Sequence, residues 1–418
     1  MSANARVKVF FKTFGCRTNI YDTEVMISSL KDCEVVENEF AADIVVVNSC
    51  TVTNGADSGV RNYISKQNRE GKKVIFAGCG ADTRGSELFE QKKIFGVMGH
   101  SEKENINELI FSPEPFKRVG VLTHKDNSIV GDFHDKSKAF VKIQEGCNFA
   151  CSYCIIPSVR GKARSQDESK ILQEVSRLAQ NGFGEFVLTG TNIGSYGRDT
   201  DTTLGVLLQK ISQVVGVKRV RLGSIEPVQI DDSFREILKE EWLEKHLHIA
   251  LQHTNEEMLK IMRRRNSVRR DLALFEELSS LGFALGSDFI TGHPGESEEV
   301  WQDAVENFKK FPLTHLHVFC YSKRDGTPSA LMKNSVNGNI AKMRSRELES
   351  IVKEKNFTFR RECKTSLNIL VEEQKEGYYT GFDQFYNRIF IKSSENITDK
   401  WININDYEVK KEGNYAKI

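Results

Sequence analysis

Between Ala139 and Ser322 the chain repeats one pattern six times, a short apolar run followed by a segment with helical periodicity. The runs are AFVKIQ (139–144), EFVLTG (185–190), RVRLGSI (219–225), HLHIALQ (246–252), LGSDFITG (285–292) and HLHVFCYS (315–322). Helical stretches at about 167–181, 204–215, 231–240, 268–281 and 297–310 separate them. Strands that alternate with helices pack as a parallel sheet, because a crossover helix returns the chain to the same edge. Six units fall short of a closed eight-stranded barrel. The pattern therefore predicts a partial (β/α)6 barrel, with its chemistry at the C-terminal strand ends. A helix over about 338–362 leads out of this domain.

A shorter α/β series precedes it. VKVFFKTF (7–14), DIVVVNS (43–49) and KVIFAG (73–78), with helices around 22–30 and 55–70, predict an open parallel sheet. Each of these strands ends at a cysteine: Cys16, Cys50 and Cys79. Carboxyl ends of parallel strands share the edge where ligands bind, so three cysteines far apart in sequence can converge there. Buried structural thiols are the alternative. Residues 113–137 have weak periodicity and many turn formers and read as a linker. From Cys363 onward, LNILVEEQKEGYYTGF, NRIFIKS and DYEVKKEG are short alternating strands with glycine turns, which predict a small antiparallel β-barrel. The expected division is 1–112, 113–137, 138–362 and 363–418.

Composition narrows the function classes. Lys plus Arg number 59 against 58 Asp plus Glu, a formal net charge of +1, so any nucleic acid must be held by local patches. No apolar stretch approaches the ~18 residues of a membrane span. MSANARVKVFF has no apolar leader, so a cytoplasmic location is expected. Nine cysteines, an odd number, suit metal or redox chemistry in a reducing compartment better than a disulfide framework.

Three of the nine stand together as Cys147-x-x-x-Cys151-x-x-Cys154, within EGCNFACSYCIIP just after the first barrel strand. Three thiolates can hold three irons of a [4Fe–4S] cube and leave the fourth open. A structural zinc site usually wants four closed ligands, and no fourth Cys or His completes one nearby.

This spacing at this place resembles the radical S-adenosylmethionine superfamily. TFGCRTNIYDTE, VVNSCTVT and FAGCGA look like the three cysteine segments of the methylthiotransferase N-terminal domain, and the last ~55 residues resemble a TRAM domain. CSYCIIPSVRGKARS, LTGTNIGSYG, RLGSIEP and HVFCYSKRDGTPSA look most like the members acting on tRNA threonylcarbamoyladenosine. Members acting on isopentenyladenosine, or on an aspartate of a ribosomal protein, carry different words there. The chain also departs from the family. Ala250-Leu251-Gln252-His253-Thr254 stands where Pro-Leu-Gln-Ser-Gly is usual, and Cys320 stands where proline is usual. The TRAM-like segment from Lys364 has eight Lys/Arg against nine Asp/Glu, so it is not basic.

The resemblance implies two [4Fe–4S] clusters. One, on Cys147, Cys151 and Cys154, would chelate S-adenosylmethionine and generate the 5′-deoxyadenosyl radical; the other, on Cys16, Cys50 and Cys79, would carry the sulfur to be inserted. A second S-adenosylmethionine would supply the methyl group. The implied product is the 2-methylthio derivative of N6-threonylcarbamoyladenosine at tRNA position 37. No catalytic side chain is expected beyond the cluster-bound cofactor. Expected cosubstrate contacts are Tyr153, Thr189, Gly190, Thr191, Ser224, Glu226, Gln252, Asp288, Ile290 and Tyr321. Expected RNA contacts are Arg160, Arg164, Arg264, Arg265 and Arg388, with Lys162, Arg263, Arg269 and Arg270 in the same basic runs. Tyr378, Tyr379, Phe382, Phe385 and Tyr386 either stack on bases or fill the small barrel. Expected partners are the tRNA and an electron donor such as flavodoxin or ferredoxin, the enzyme acting as a monomer without a membrane.

Cys33, Cys320 and Cys363 read as ordinary thiols. His246, His248, His315 and His317 suit core or pocket-rim positions better than a metal site. Two rival functions remain open from sequence: methylthiolation of isopentenyladenosine or a ribosomal aspartate, and a non-catalytic iron–sulfur RNA-binding or electron-transfer protein.

Overall fold

The computed structural model describes residues 6–50, 54–133, 136–363 and 365–418. Its first sheet contains β1 (Val7–Phe14), β2 (Cys33–Val35), β3 (Ile44–Ser49), β4 (Lys73–Ala77), β5 (Gly96–Met98) and β6 (Phe116–Arg118), in the order β2-β1-β3-β4-β5-β6. Every pairing is parallel. All six residues of β3 are buried, as expected for a central strand covered by helices on both faces. β2, β5 and β6 are three residues each, too short for a periodic signal. β6 lies inside the segment expected to be a linker and extends the sheet.

The second body contains β7 (Ala139–Glu145), β8 (Arg164–Ser165), β9 (Glu185–Gly190), β10 (Arg219–Leu222), β11 (His246–His248), β12 (Ala284–Thr291) and β13 (Leu313–Cys320). β7, β9 and β10 pair in parallel, as do β11, β12 and β13. Single parallel bridges, Val220 to Leu243 and Ile225 to Ile249, join the two halves. Six parallel strands thus follow one another in chain order, while β8 runs antiparallel at the β7 edge. The helices present apolar stripes at three- and four-residue spacing, such as Ile171, Val175 and Leu178, or Leu274, Phe275 and Leu278. These close a core with Val141, Phe186, Leu247 and Phe289 from the strands.

After the helix Gly338–Glu362, the last sheet comprises β14 (Leu367–Lys375), β15 (Tyr378–Phe382), β16 (Arg388–Lys392), β17 (Trp401–Ile404), β18 (Glu408–Val409) and β19 (Asn414–Lys417). Its order is β17-β14-β15-β16-β19-β18, with β16 and β19 parallel and the other pairs antiparallel. The sheet curls, but its edge strands β17 and β18 do not pair, so it forms a half-barrel. Tyr379 and Phe385 belong to its core. Phe390 and Tyr415 stack, and Tyr378 meets both edge-on, in a separate aromatic cluster.

Two arginines of β10 tie this sheet to the barrel. Arg219 donates to the carbonyls of Asn368 (2.9 Å) and Phe382 (3.3 Å), and Arg221 to that of Asp383 (2.7 Å). Glu185 lies between the two guanidinium groups, and Glu244 supplies a second carboxylate to Arg221. Among the described residues, no helix is long and apolar enough to cross a membrane.

Candidate active site

Adjacency of β1, β3 and β4 brings Cys16, Cys50 and Cys79 to one edge. The backbone N–H of Cys50 donates to Phe14 O at 2.8 Å, which locks the second strand end to the first. Gly15, between β1 and Cys16, has φ +138°, and a Cβ there would lie 2.5 Å from Cys50 Cβ. Only glycine permits that approach. Below the cysteines, the amide of Asn19 donates to Asn48 Oδ1 (3.0 Å), and that of Asn48 donates back to Asn19 O (2.8 Å).

The core cysteines lie on the loop after β7. Its first turn is held where the Gly146 N–H donates to Thr191 Oγ1 at 3.1 Å. The Cys147 sulfur receives the Phe149 N–H and the Asn192 amide, each at 3.4 Å. Arg264 reaches Cys151 Sγ at 3.7 Å while its fork grips Glu226. One cavity of about 380 Å³ is lined by Cys16, Cys50 and Cys79 of the first sheet together with Cys154 of the core.

The donor set fits iron–sulfur ligation better than a single ion. A tetrahedral zinc holds its sulfurs ~3.8 Å apart, from Zn–S bonds of ~2.3 Å. Among the described residues, His248, Asp288 and His317 are the only trio whose ligand atoms all lie within 4.8 Å of one another, and neither cysteine triplet is that tight. Thiolates that bind different irons of a cube stand farther apart. Burial pushes the Cys79 and Cys154 thiols up to about 12 each, offset in part by Arg160 at the first and by the Ile156 N–H at the second. Burial also raises Cys151, against the pull of Arg264. Metal binding must displace these protons, and the N–H and guanidinium donors already stand where thiolate charge would develop.

Arg160 belongs to a buried ionic network that sequence reasoning missed. Its Nε donates to Cys79 Sγ at 3.0 Å, and its Nη1 lies 2.8 Å from Asp22 and bonds Glu145. Lys142 Nζ stands 2.8 Å from Asp22, 2.5 Å from Asp126 and 3.1 Å from Glu145, while Lys103 meets Asp126 at 2.5 Å. Three acids thus face three bases, each side chain at most 3% exposed. One signal was visible: a lysine between the apolar residues Val141 and Ile143 of a buried strand must be paired.

The expected cosubstrate residues divide between two cavities. Tyr153, Gly190, Thr191, Gln252, Asp288, Ile290 and Tyr321 line the cysteine cavity. Thr189 and Ser224 line an adjoining cavity of about 420 Å³, which also includes Gly190 and Asp288. Glu226 instead pairs with Arg264 beside Cys151. Gln252 has φ +66°, uncommon for a side-chain-bearing residue, and two backbone bonds to Asp288 and Ile290 hold it there. The neighbouring departure from the family pattern, His253, points into the core, its Nε2 3.3 Å from Glu296. Cys320 lines the cysteine cavity.

Two expected RNA contacts are corrected. The Arg160 and Arg264 side chains are each 2% exposed and occupied by carboxylates and cysteine sulfur, so a phosphate backbone cannot reach them. Arg164 is also engaged, by the carbonyls of His124, Arg160 and Lys162. Arg265, over the Phe149 ring, and Arg388, over Phe382, are exposed. So are Lys162, Arg263, Arg269 and Arg270. The four histidines line the 420 Å³ cavity with Arg17 and Tyr386, neither of which stood out in the sequence as a cavity group.

Comparisons with known proteins agree with this layout. The family model described as "Uncharacterized protein family UPF0004" matches residues 8–99, and that of the radical SAM superfamily matches 141–308. A Helicobacter pylori strain J99 protein named "Putative methylthiotransferase" is 50% identical over 98% of this chain and 99% of its own. The threonylcarbamoyladenosine tRNA methylthiotransferase MtaB of Bacillus subtilis is 33% identical, over 95% and 93% respectively. Among solved structures, the radical S-adenosylmethionine methyltransferase TsrM of Kitasatospora setae superimposes with a TM-score of 0.60 at 17% identity, covering 78% of this chain and 77% of that one. That likeness establishes the fold of the core.

Proposed function

Because this chain belongs to the methylthiotransferase family of radical S-adenosylmethionine enzymes, which use S-adenosylmethionine and [4Fe–4S] clusters, we propose that it methylthiolates tRNA, converting N6-threonylcarbamoyladenosine at position 37 to its 2-methylthio derivative. The observation that carries the reading is the single cavity bordered by Cys16, Cys50 and Cys79 and by Cys154 of the core loop. Sulfur insertion needs a radical source and a sulfur donor within reach of one nucleobase. In this reading Cys147, Cys151 and Cys154 hold the first cluster, and Cys16, Cys50 and Cys79 the second. When bound, these groups supply reductive cleavage of S-adenosylmethionine and the sulfur to be inserted.

The protein's own groups do the positioning. Thr191, Asn192 and the Phe149 N–H fix the loop carrying Cys147. Glu226 orients Arg264 onto Cys151, and Arg160 supports Cys79. Tyr153, Ile290 and Tyr321 give the cavity an apolar wall that limits water around a reactive intermediate. Arg265 and Arg388 are free to meet phosphate at the surface, and a flavodoxin- or ferredoxin-type donor supplies the electron to an enzyme acting as a monomer.

Nucleoside analysis tests the substrate. Total tRNA from a strain lacking the gene is expected to lose 2-methylthio-threonylcarbamoyladenosine and to accumulate its unmodified precursor, measured by liquid chromatography and mass spectrometry. An unchanged level of the methylthio nucleoside would overturn the assignment.

A further inference from the structure

We propose that the 420 Å³ cavity beside Cys16 receives the N6 side chain of the substrate nucleoside, and that the Arg17 guanidinium binds its carboxylate. This rests on the threonylcarbamoyladenosine reading above, since that side chain ends in a carboxylate.

Arg17 is the first residue of the helix Arg17–Ser28, which has no acidic residue in its first turn and no side-chain cap. A cation there adds to the positive end of the helix dipole, so the local structure gains nothing from it. The guanidinium donates to Leu222 O (3.3 Å) and Tyr386 Oη (3.2 Å), both neutral. Among the described residues, no carboxylate lies within 4.0 Å of it. The other arginine and the acids around the cavity have side-chain partners. Arg221 pairs with Glu185 and Glu244, and Asp288 with His248 (3.0 Å) and His317 (3.4 Å). Among the described residues, Arg17 is therefore the cavity arginine without a carboxylate at ion-pair distance, next to a proposed cluster ligand.

The group is also preorganised. Tyr386 lies against the Phe382 ring at 4.7 Å and the His246 ring at 5.2 Å, and Arg17 packs on its face at 5.8 Å. His246, 6% exposed, has a buried Nε2 without a hydrogen-bond partner. Gly286 leaves room for the two histidine rings, since a Cβ there would come within 2.7 Å of His248 and 2.9 Å of His246. Cys16, Thr18, Gly190 and Asp288 border both cavities. A nucleobase presented to the cysteines can thus extend its substituent towards Arg17. An apolar substituent would leave the guanidinium desolvated and unpaired, which gives discrimination by a penalty as well as by attraction.

The test uses the reconstituted full chain and two anticodon stem-loop RNAs, one with threonylcarbamoyladenosine and one with its methyl ester. Kd and kcat/KM are measured for both. Wild type is expected to favour the acid by roughly 10- to 100-fold, the usual range for a charge-assisted contact. Arg17→Gln should bring the acid-to-ester ratio near one in both measurements, and Arg17→Lys should restore part of it. A wild-type ratio near one, or an Arg17→Gln ratio equal to wild type, would overturn the proposal. If wild type methylthiolates the acid RNA in that case, the substrate reading still stands. If it methylthiolates neither RNA, the substrate reading falls and this proposal with it. The ratio in Kd needs no turnover, so it separates recognition from a defect in the neighbouring cluster.

Discussion

In anaerobic assays with S-adenosylmethionine and a chemical reductant, Cys147→Ala is expected to form no 5′-deoxyadenosine above background, whereas Cys50→Ala continues to form it but makes no methylthio product. The contrast follows from where the two cysteines lie. Cys147 is on the loop after β7, where Phe149, Asn192 and Arg264 donate to the sulfurs. Cys50 directly follows β3 in a separate sheet, and its backbone N–H donates to Phe14 O. Loss of one of three thiolates should disable the cluster it belongs to and spare the other. Chromatographic quantitation of both products in the same reaction reads the two functions independently. Equal loss of 5′-deoxyadenosine in both variants would contradict a division of labour between the cysteine sets.

The second large effect concerns stability. Lys142→Met should destabilise the protein by about 3–5 kcal/mol, because it leaves buried carboxylates short of one cation. Asp22, Asp126 and Glu145 would then be left with Lys103 and Arg160 as their fully buried cations, and Arg164 3.4 Å from Glu145. Urea unfolding followed by tryptophan fluorescence gives the difference. Its pH dependence has a definite sign. Burial raises the Asp22 and Asp126 carboxyls, but Lys103 and Lys142 outweigh it and hold both below the ordinary carboxylate value. The stability they contribute is therefore fully present above the unfolded value of ~3.9 and is lost as pH falls further, through the folded values. Lys142 itself is shifted upward: burial opposes its charge, and Asp126 and Asp22 more than compensate. Its contribution is present below ~10.4 and lost at higher pH. The gap between wild type and Lys142→Met should thus be widest between about pH 4 and 10 and shrink on acidification.

Much of this architecture was legible because its signals are local. Val7–Phe14 and Glu185–Gly190 are observed strands with the bounds that apolar periodicity predicts, and Gly338–Glu362 is the predicted exit helix. A cysteine just after a strand of a parallel sheet is likewise a local statement, and adjacency of the strands did the rest. Three-residue strands such as Gly96–Met98 carry no period to read, and failure of the last sheet to close depends on pairings between distant strands. The arginines were misread for the same reason. Arg264 and Arg265 are neighbours in one basic run, yet the first is buried against Glu226 and the second is exposed over Phe149. Only tertiary contacts separate them. The partners of Lys142 include Asp22, 120 residues away, beyond any motif. Arg17 followed a conspicuous cysteine, but that no carboxylate among the described residues pairs with it became visible only with the cavity around it.

The account depends most directly on two separate clusters facing one cavity. Iron and sulfide should be quantified after anaerobic reconstitution of the wild-type chain and of a Cys147/Cys151/Cys154 triple alanine variant. About eight irons per wild-type chain and about four in the variant are expected for two independent [4Fe–4S] cubes. About four irons in wild type and none in the variant would mean that Cys16, Cys50 and Cys79 hold no cluster, and the proposed route of sulfur insertion would be contradicted.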